Sequence, residues 1–292
     1  MVSVIQSEWH RGLRAWRFWA TMALTLSIFL ASVFQYAPLG VSAPPIPHYI
    51  NFFSMTLAFL GSYLFALWPV AIPLLAALPA GDSLAVDRRR GADALAITRV
   101  GWARYLWGKL VGNALLAVAA VAVPMAVAAA AAVARFPAAL PPFLGWVYNA
   151  SLPYRVKQSG VFGDQYHPAF QAHFFWATPG LYVIVACLMA LWATVALASV
   201  SIAASVWVRV SLVTLAIPVG LFWVGNFVSQ GMASPLIPSV YAGAYLYWPT
   251  RMDPPSWGAL ALYWALPALA TVGVLAWMGL RRREWPSSSM GQ

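Results

Sequence analysis

Long apolar stretches without charge alternate with short charged clusters along the whole chain. A run of about 18 or more apolar residues predicts a membrane-spanning helix. Six segments meet this criterion, with residue bounds 18–36, 50–80, 110–134, 174–206, 210–228 and 257–280. Because hydrocarbon offers the backbone no hydrogen-bonding partner, each span is expected to be helical. The alternation typical of barrel strands is absent.

The composition supports the same interpretation. Of 292 residues, 62% are hydrophobic and only 8% are charged, whereas a soluble domain carries roughly a quarter charged residues because its surface faces water. The chain is therefore interpreted as one all-α integral membrane domain covering residues 1–292. Its single cysteine, Cys187, lies within a predicted span, which excludes a disulfide framework and a cysteine metal cluster.

The segment before the first span has the pattern of an interfacial amphipathic helix over residues 7–20. Apolar residues recur at intervals of three and four, and basic residues occupy the other side. The apolar set is Trp9, Leu13, Trp16 and Ala20, and the basic set is Arg11, Arg14 and Arg17. A plain positive-inside anchor is the alternative. The first apolar run is longer than a usual signal-peptide core, so we expect it to be retained.

Two connections between spans are unusual. Residues 135–173 form a loop far longer than ordinary connections, which suggests a lid or docking element. Residues 231–256 are apolar and rich in aromatic residues, but proline interrupts them and they are too short to span and return. They predict a re-entrant or interfacial segment before the last span.

The basic residues are distributed unevenly between the two sides that six spans define. With the amino terminus in the cytoplasm, thirteen of the 17 fall on that side: Arg11, Arg14, Arg17, Arg88, Arg89, Arg90, Arg99, Arg104, Lys109, Arg209, Arg281, Arg282 and Arg283. The other side holds Arg135, Arg155, Lys157 and Arg251. This positive-inside bias predicts a multi-pass protein of the cell membrane with both termini cytoplasmic. It explains the net charge of +10 without a nucleic-acid partner.

The only sizeable cytoplasmic feature in this topology is the connection between spans two and three. Residues 82–99 predict an amphipathic helix, with Asp82 or Ser83 as its N-cap. A GxxxG pattern follows at Gly108 and Gly112, but the match is weak because Lys109 lies inside it. A short exposed helix suits contact with a soluble partner, whereas an ordinary positive-inside loop would explain only the arginines.

From residue 87 onward the chain has an acidic residue and arginine, then glycine, a leucine-rich turn, and an arginine–glycine–lysine run entering the third span. The residues of this pattern are Asp87, Arg88, Gly91, Leu95, Thr98, Arg104, Gly108 and Lys109. The pattern resembles that of the permease subunits of exporter-type ABC transporters. The six-span layout, the interfacial helix and the re-entrant element are similar to that family as well. Asp87 stands where glutamate is usual, and Arg99-Val100 stands where proline is usual.

The resemblance implies the membrane subunit of an ATP-driven exporter, with residues 82–99 as the coupling helix that docks on a separate ATP-binding subunit. Asp87 and Arg88 are then expected to make polar contacts with that ATPase. Leu95 would be the apolar anchor and Gly91 would permit close approach. Arg104 and Lys109 would hold the loop at the lipid headgroups. A second permease copy, identical or homologous, and membrane lipid are the other expected partners.

The chain is not expected to be an enzyme or to bind a cofactor itself. The nearest match to a P-loop, from Gly101 to Gly108-Lys109, has six residues between the glycines instead of four and no Ser or Thr after the lysine. ATP and Mg²⁺ are therefore expected on the partner subunit. No ionisable residue lies in the middle of a span, which disfavours an ion-coupled carrier.

Two other functions stay open. The loop at 135–173 could anchor or assemble an extracytoplasmic partner at the membrane without any transport. A membrane-embedded enzyme could use Asp164, His167 and His173, which lie close together in that loop. These three residues could also bind a metal, but they lack an established ligand spacing, so surface polar residues are the favoured interpretation.

Overall fold

The computed structural model describes residues 1–34, 67–135, 178–208, 210–231 and 256–281. All regular structure within these ranges is helical, which confirms the all-α part of the predicted fold class for the described residues. The helices are α1 (Val2–Arg14), α2 (Trp16–Phe34), α3 (Leu67–Ala77), α4 (Ser83–Arg89), α5 (Ala92–Val100), α6 (Trp102–Arg135), α7 (Pro179–Ser205), α8 (Ser211–Gly231) and α9 (Trp257–Arg281). The unusual segments 135–173 and 231–256 lie largely outside the described residues.

Four of these helices, α6 to α9, are long and apolar enough to cross a membrane. The 27 residues of α7 extend about 40 Å at 1.5 Å per residue, which exceeds a hydrocarbon core of about 30 Å. Helix α2 contributes a shorter apolar stretch, Trp16–Ala31. Helix α3 is the described end of the second predicted span. The chain is therefore a multi-pass membrane protein by the length and composition of its helices.

Two predicted boundaries are wrong. The predicted interfacial helix at 7–20 is divided at Ala15, whose backbone is extended, so Trp16 belongs to α2 rather than α1. The apolar periodicity continues across this break, which is why the sequence pattern did not reveal it. The helix of the predicted third span at 110–134 starts eight residues earlier, at Trp102. Lys109, whose charge ended the apolar run in the sequence, is buried in this helix and paired with Glu8.

The centre of the bundle is formed by α6 and α7, which pack against α2, α3 and α9. On α7 the buried side carries small residues, including Ala186, Ala190 and Ala193. The outer side carries exposed leucine and isoleucine, such as Ile184 and Leu188. Small residues let helix backbones approach closely, and large apolar side chains on the outside suit a lipid environment. This arrangement reverses the pattern of a soluble helix.

Candidate functional site

The connection between α3 and α6 forms two short helices instead of the single helix predicted at 82–99. They meet at Gly91, whose φ of 67° lies in the left-handed region that favours glycine. A Cβ atom at Gly91 would meet nothing within 4 Å. Within the chain, Gly91 therefore serves to turn the backbone between α4 and α5. Its predicted close approach to a partner subunit stays a prediction. Asp82 precedes α4 as predicted, but its side chain makes no capping hydrogen bond.

A ring of four alternating charges joins α4 to α1 and α6. Glu8 accepts from Arg11 at 2.5 Å and lies 2.7 Å from the Lys109 ammonium. The Asp87 carboxylate closes the ring because it pairs with Arg11 at 2.5 Å and also with Lys109. The hydroxyl of Tyr105 donates to Asp87 Oδ2 at 2.7 Å. We call Glu8, Arg11, Asp87 and Lys109 the ion-pair ring.

Three members of the ion-pair ring are almost fully withdrawn from solvent. Lys109 is 1% exposed, Glu8 4% and Asp87 9%. The prediction that Lys109 holds the loop at the lipid headgroups is therefore wrong, because its ammonium lies between two carboxylates inside the protein. A buried ion needs a partner of opposite charge. The ring supplies two carboxylates for two cations, so its formal charges cancel.

The neighbours of Asp87 and Arg11 keep both residues ionised. Burial by itself would raise the pKa of Asp87, but Lys109, Tyr105 and Arg11 together outweigh it and hold the pKa below its ordinary value. Burial by itself would lower the pKa of Arg11, but the charges of Glu8 and Asp87 reverse that effect and raise it. The two charges that tie α1 to α4 therefore persist at neutral pH.

Acidification is expected to weaken the ion-pair ring. A carboxylate whose pKa is lowered by folding stabilises the folded state above its unfolded pKa, and this contribution is lost as pH falls through the folded pKa. For Asp87 that loss lies below the ordinary value of 3.8. The difference in melting temperature between the native chain and Asp87→Asn should therefore stay constant near neutral pH and shrink below about pH 4. Tryptophan fluorescence during heating in detergent measures both melting temperatures. A difference that does not change with pH would contradict a stabilising role for the ionised Asp87.

Closely packed glycines bring α1 against α6 around this ring. A Cβ atom at Gly108 would lie 2.6 Å from the side chain of Val4, and one at Gly112 would lie 2.8 Å from Glu8 Cβ. A Cβ at Gly12 of α1 would lie 2.3 Å from the side chain of Leu116. The GxxxG match at 108–112 is thus a helix crossing, and Lys109, which made the match look weak, is the charged residue enclosed by that crossing.

Three further contacts attach α4 and its flanks to the rest of the bundle. The Arg88 guanidinium donates to the carbonyls of Val206 and Ser205 at the carboxyl end of α7, where a helix dipole favours positive charge. Arg89 donates to Ser211 Oγ at the start of α8 at 2.7 Å. Asp82 pairs with Arg17 of α2 at 2.6 Å. Together with the ion-pair ring, these contacts connect this segment to α1, α2, α6, α7 and α8.

The residues matched to the transporter family divide into two groups. Asp87, Arg88 and Lys109 use their charged groups in contacts within the protein. Gly91, Thr98 and Arg104 are exposed, on or beside α5. Leu95 lies in α5, and its side chain is outside the described part. We call Gly91, Ala92, Thr98, Arg99 and Arg104 the α5 surface; it is the exposed end of an otherwise firmly attached segment.

The sequence reasoning missed Glu8, Arg11 and Tyr105 as members of this site. The spacing of Glu8 and Arg11 was a usable signal, because residues three apart on a helix share a face and form ion pairs. Asp164, His167 and His173 lie outside the described residues. Within the ranges that are described, no group of three or more His, Cys, Asp or Glu residues is arranged to hold a metal ion.

No protein-family model matches the chain, and no curated protein or solved structure is significantly similar to it. The described geometry joins α5, a short helix with one exposed side, at Gly91 to a segment that contacts five helices of the bundle.

Proposed function

We propose that this chain is the membrane-spanning permease subunit of an ATP-driven ABC transporter that works as an exporter. The observation that carries the proposal is the attachment of α4 and the preceding Asp82 to five surrounding helices, beside an exposed α5 surface. A coupling element needs an accessible face for a partner and a stiff connection to the helices that must move. The segment between α3 and α6 has both properties.

In this mechanism the ATP-binding subunit docks on the α5 surface. Its movement reaches α4 through the turn at Gly91. The ion-pair ring passes that movement to α1 and α6, and Arg88 passes it to α7. Asp87 and Lys109 thus act as positioning residues within the permease rather than as contacts with the ATPase, and Thr98 and Arg104 are the sequence-matched residues placed to meet the partner.

The rest of the architecture follows the same proposal. In this proposal, α2 and the second span, which ends in α3, add two spans to the four formed by α6 to α9. The protein lies in the cell membrane with both termini in the cytoplasm. The excess of arginine and lysine near α1, α4 and α5 supports this orientation. A second permease copy, identical or homologous, would complete the transport pathway. ATP and Mg²⁺ belong to the partner subunit, since this sequence has no P-loop.

Charge reversal on the α5 surface tests the proposal. We expect the double variant Arg99→Glu/Arg104→Glu to reduce co-purification of an ATP-binding subunit by about tenfold or more, since reversed charges disfavour a complementary surface. Both arginines are exposed, so the fold should survive. The measurement is quantitative mass spectrometry of tagged protein extracted from its native membrane in mild detergent.

The matched control for this experiment is Arg14→Glu, which reverses an exposed arginine on α1 away from the α5 surface. It should leave co-purification unchanged. If no ATP-binding protein co-purified with the native chain, the transporter proposal would be refuted. If the native chain and all variants recovered equal amounts, the α5 surface would not be the docking site.

A further inference from the structure

An arginine-lined cavity opens beside α4, separate from the α5 surface. It has a volume of about 380 Å³ and is lined by Arg17, Val86, Arg89, Arg90 and Ser211. Three of these five residues carry a guanidinium and none carries a carboxylate. We call it the arginine pocket. Its volume falls within the range of about 300–1,000 Å³ that is common for small-molecule sites.

Nearby acidic residues do not neutralise the arginine pocket. A second cavity of about 260 Å³ shares Arg17, Val86 and Arg90 with it and is also lined by Glu8 and Asp82. Glu8 is already paired in the ion-pair ring, and Asp82 is paired with Arg17. Among the described residues, no carboxylate lies within ion-pairing distance of Arg89 or Arg90. The pocket therefore keeps an uncompensated positive charge.

The hydrogen-bond donors of this pocket suit a phosphate group. Each guanidinium offers five N–H donors in a planar fork that matches phosphate oxygens. Arg17 directs one nitrogen to Asp82 and Arg89 directs one to Ser211, which leaves further donors on both. Ser211 also begins α8, so the positive end of that helix dipole faces the same space.

Neighbouring apolar residues place the pocket at the level of lipid headgroups. Arg17 lies in the first turn of α2 beside Trp16, which is 72% exposed, and exposed tryptophan is typical of membrane interfaces. On the other side, Ser211 is followed by Leu212, which is 76% exposed on an apolar helix. The pocket therefore lies where α2 and α8 both enter the hydrocarbon.

We infer that the arginine pocket binds the phosphate of an anionic phospholipid headgroup. The bound lipid would link α2, α4 and α8 through one anion, because Arg17 lies in α2, Ser211 in α8, and Arg89 and Arg90 at the carboxyl end of α4. A headgroup that lacks net negative charge would leave the guanidinium charges of Arg89 and Arg90 uncompensated, since among the described residues of the pocket only Arg17 is paired with a carboxylate. The pocket should therefore discriminate between anionic and zwitterionic lipids. This inference does not depend on any ATPase partner.

Binding of short-chain lipids to the purified protein in detergent tests the inference. The native chain should bind dioctanoyl phosphatidylglycerol more tightly than dioctanoyl phosphatidylcholine. Each arginine removed from an anionic lipid site should weaken binding by about fivefold, so Arg89→Gln/Arg90→Gln should weaken binding of the anionic lipid by about 25-fold. Arg90→Gln alone, which breaks no contact in the described structure, should weaken it about fivefold while leaving the melting temperature unchanged.

The matched control removes equal charge elsewhere. Arg99→Gln/Arg104→Gln, on the α5 surface, should leave lipid affinity close to native. Equal losses in the two double variants would overturn the inference, because general surface charge would then explain binding. If inorganic phosphate at an equal concentration displaced the lipid, the site would be one for free phosphate and the inference of a lipid ligand would be wrong. Weaker lipid binding in the pocket variants alone, without displacement by phosphate, would support the inference.

Discussion

Replacing Lys109 with methionine is expected to destabilise the folded protein by about 3–5 kcal/mol, the range measured when one partner of a buried ion pair is removed. Methionine keeps most of the length of the lysine side chain but not its charge. The substitution leaves Glu8 and Asp87 buried with Arg11 as their shared cation in the ring. The uncompensated carboxylate, rather than lost packing, should dominate the effect.

Reversible unfolding in mixed detergent, followed by tryptophan fluorescence, measures this change. The matched control is Arg104→Met, which removes an exposed charge from the same helix and should alter the free energy of unfolding little. The double variant Lys109→Met/Glu8→Gln should recover part of the lost stability, because it restores equal numbers of positive and negative groups in the ring. Strictly additive losses in the double variant would refute charge balance as the reason.

Substituting Gly112 with alanine should destabilise the protein by about 1–3 kcal/mol, a typical penalty for overpacking. The added Cβ would lie 2.8 Å from Glu8 Cβ, so α1 and α6 must separate. Because Glu8 also pairs with Lys109 at 2.7 Å, the separation strains the ion-pair ring as well. The same unfolding measurement detects it, and under the proposed function the amount of co-purified ATPase should fall too.

Gly273 provides the matched control, since it also lies in a long apolar helix but a Cβ there would meet nothing within 4 Å. Alanine has the higher helix propensity, by about 1 kcal/mol in water, so Gly273→Ala should be neutral or stabilising. The two substitutions are chemically identical, but only Gly112→Ala should lower the free energy of unfolding. If Gly112→Ala stabilised the protein as Gly273→Ala does, the close crossing of α1 and α6 would be wrong.

The ion-pair ring changes how the family resemblance is to be understood. Matching by residue type assigned Asp87 and Arg88 to direct contact with a partner. The fold instead uses both residues to attach α4, and it exposes Thr98 and Arg104 beyond it. A positioning role and a contact role can produce the same sequence pattern, since either one requires a charged residue at a set distance from the third span.

The sequence by itself determined the membrane-spanning helices, because hydropathy depends only on the composition of a continuous segment. Helices α6 to α9 are predicted in this way, with errors confined to their ends. The charged residues carry a local signal as well, since their uneven distribution predicts an orientation without any knowledge of packing.

Only the tertiary structure decided what the charged residues near α1 and α4 do. Residues 8, 11, 87 and 109 meet because α1 crosses α6 at closely packed glycines and α4 lies across both. A one-dimensional pattern records that Lys109 is basic and near a membrane boundary, which favours an interpretation as a headgroup contact. Burial between two carboxylates depends on where separate helices cross, and that information exists only once the chain has folded.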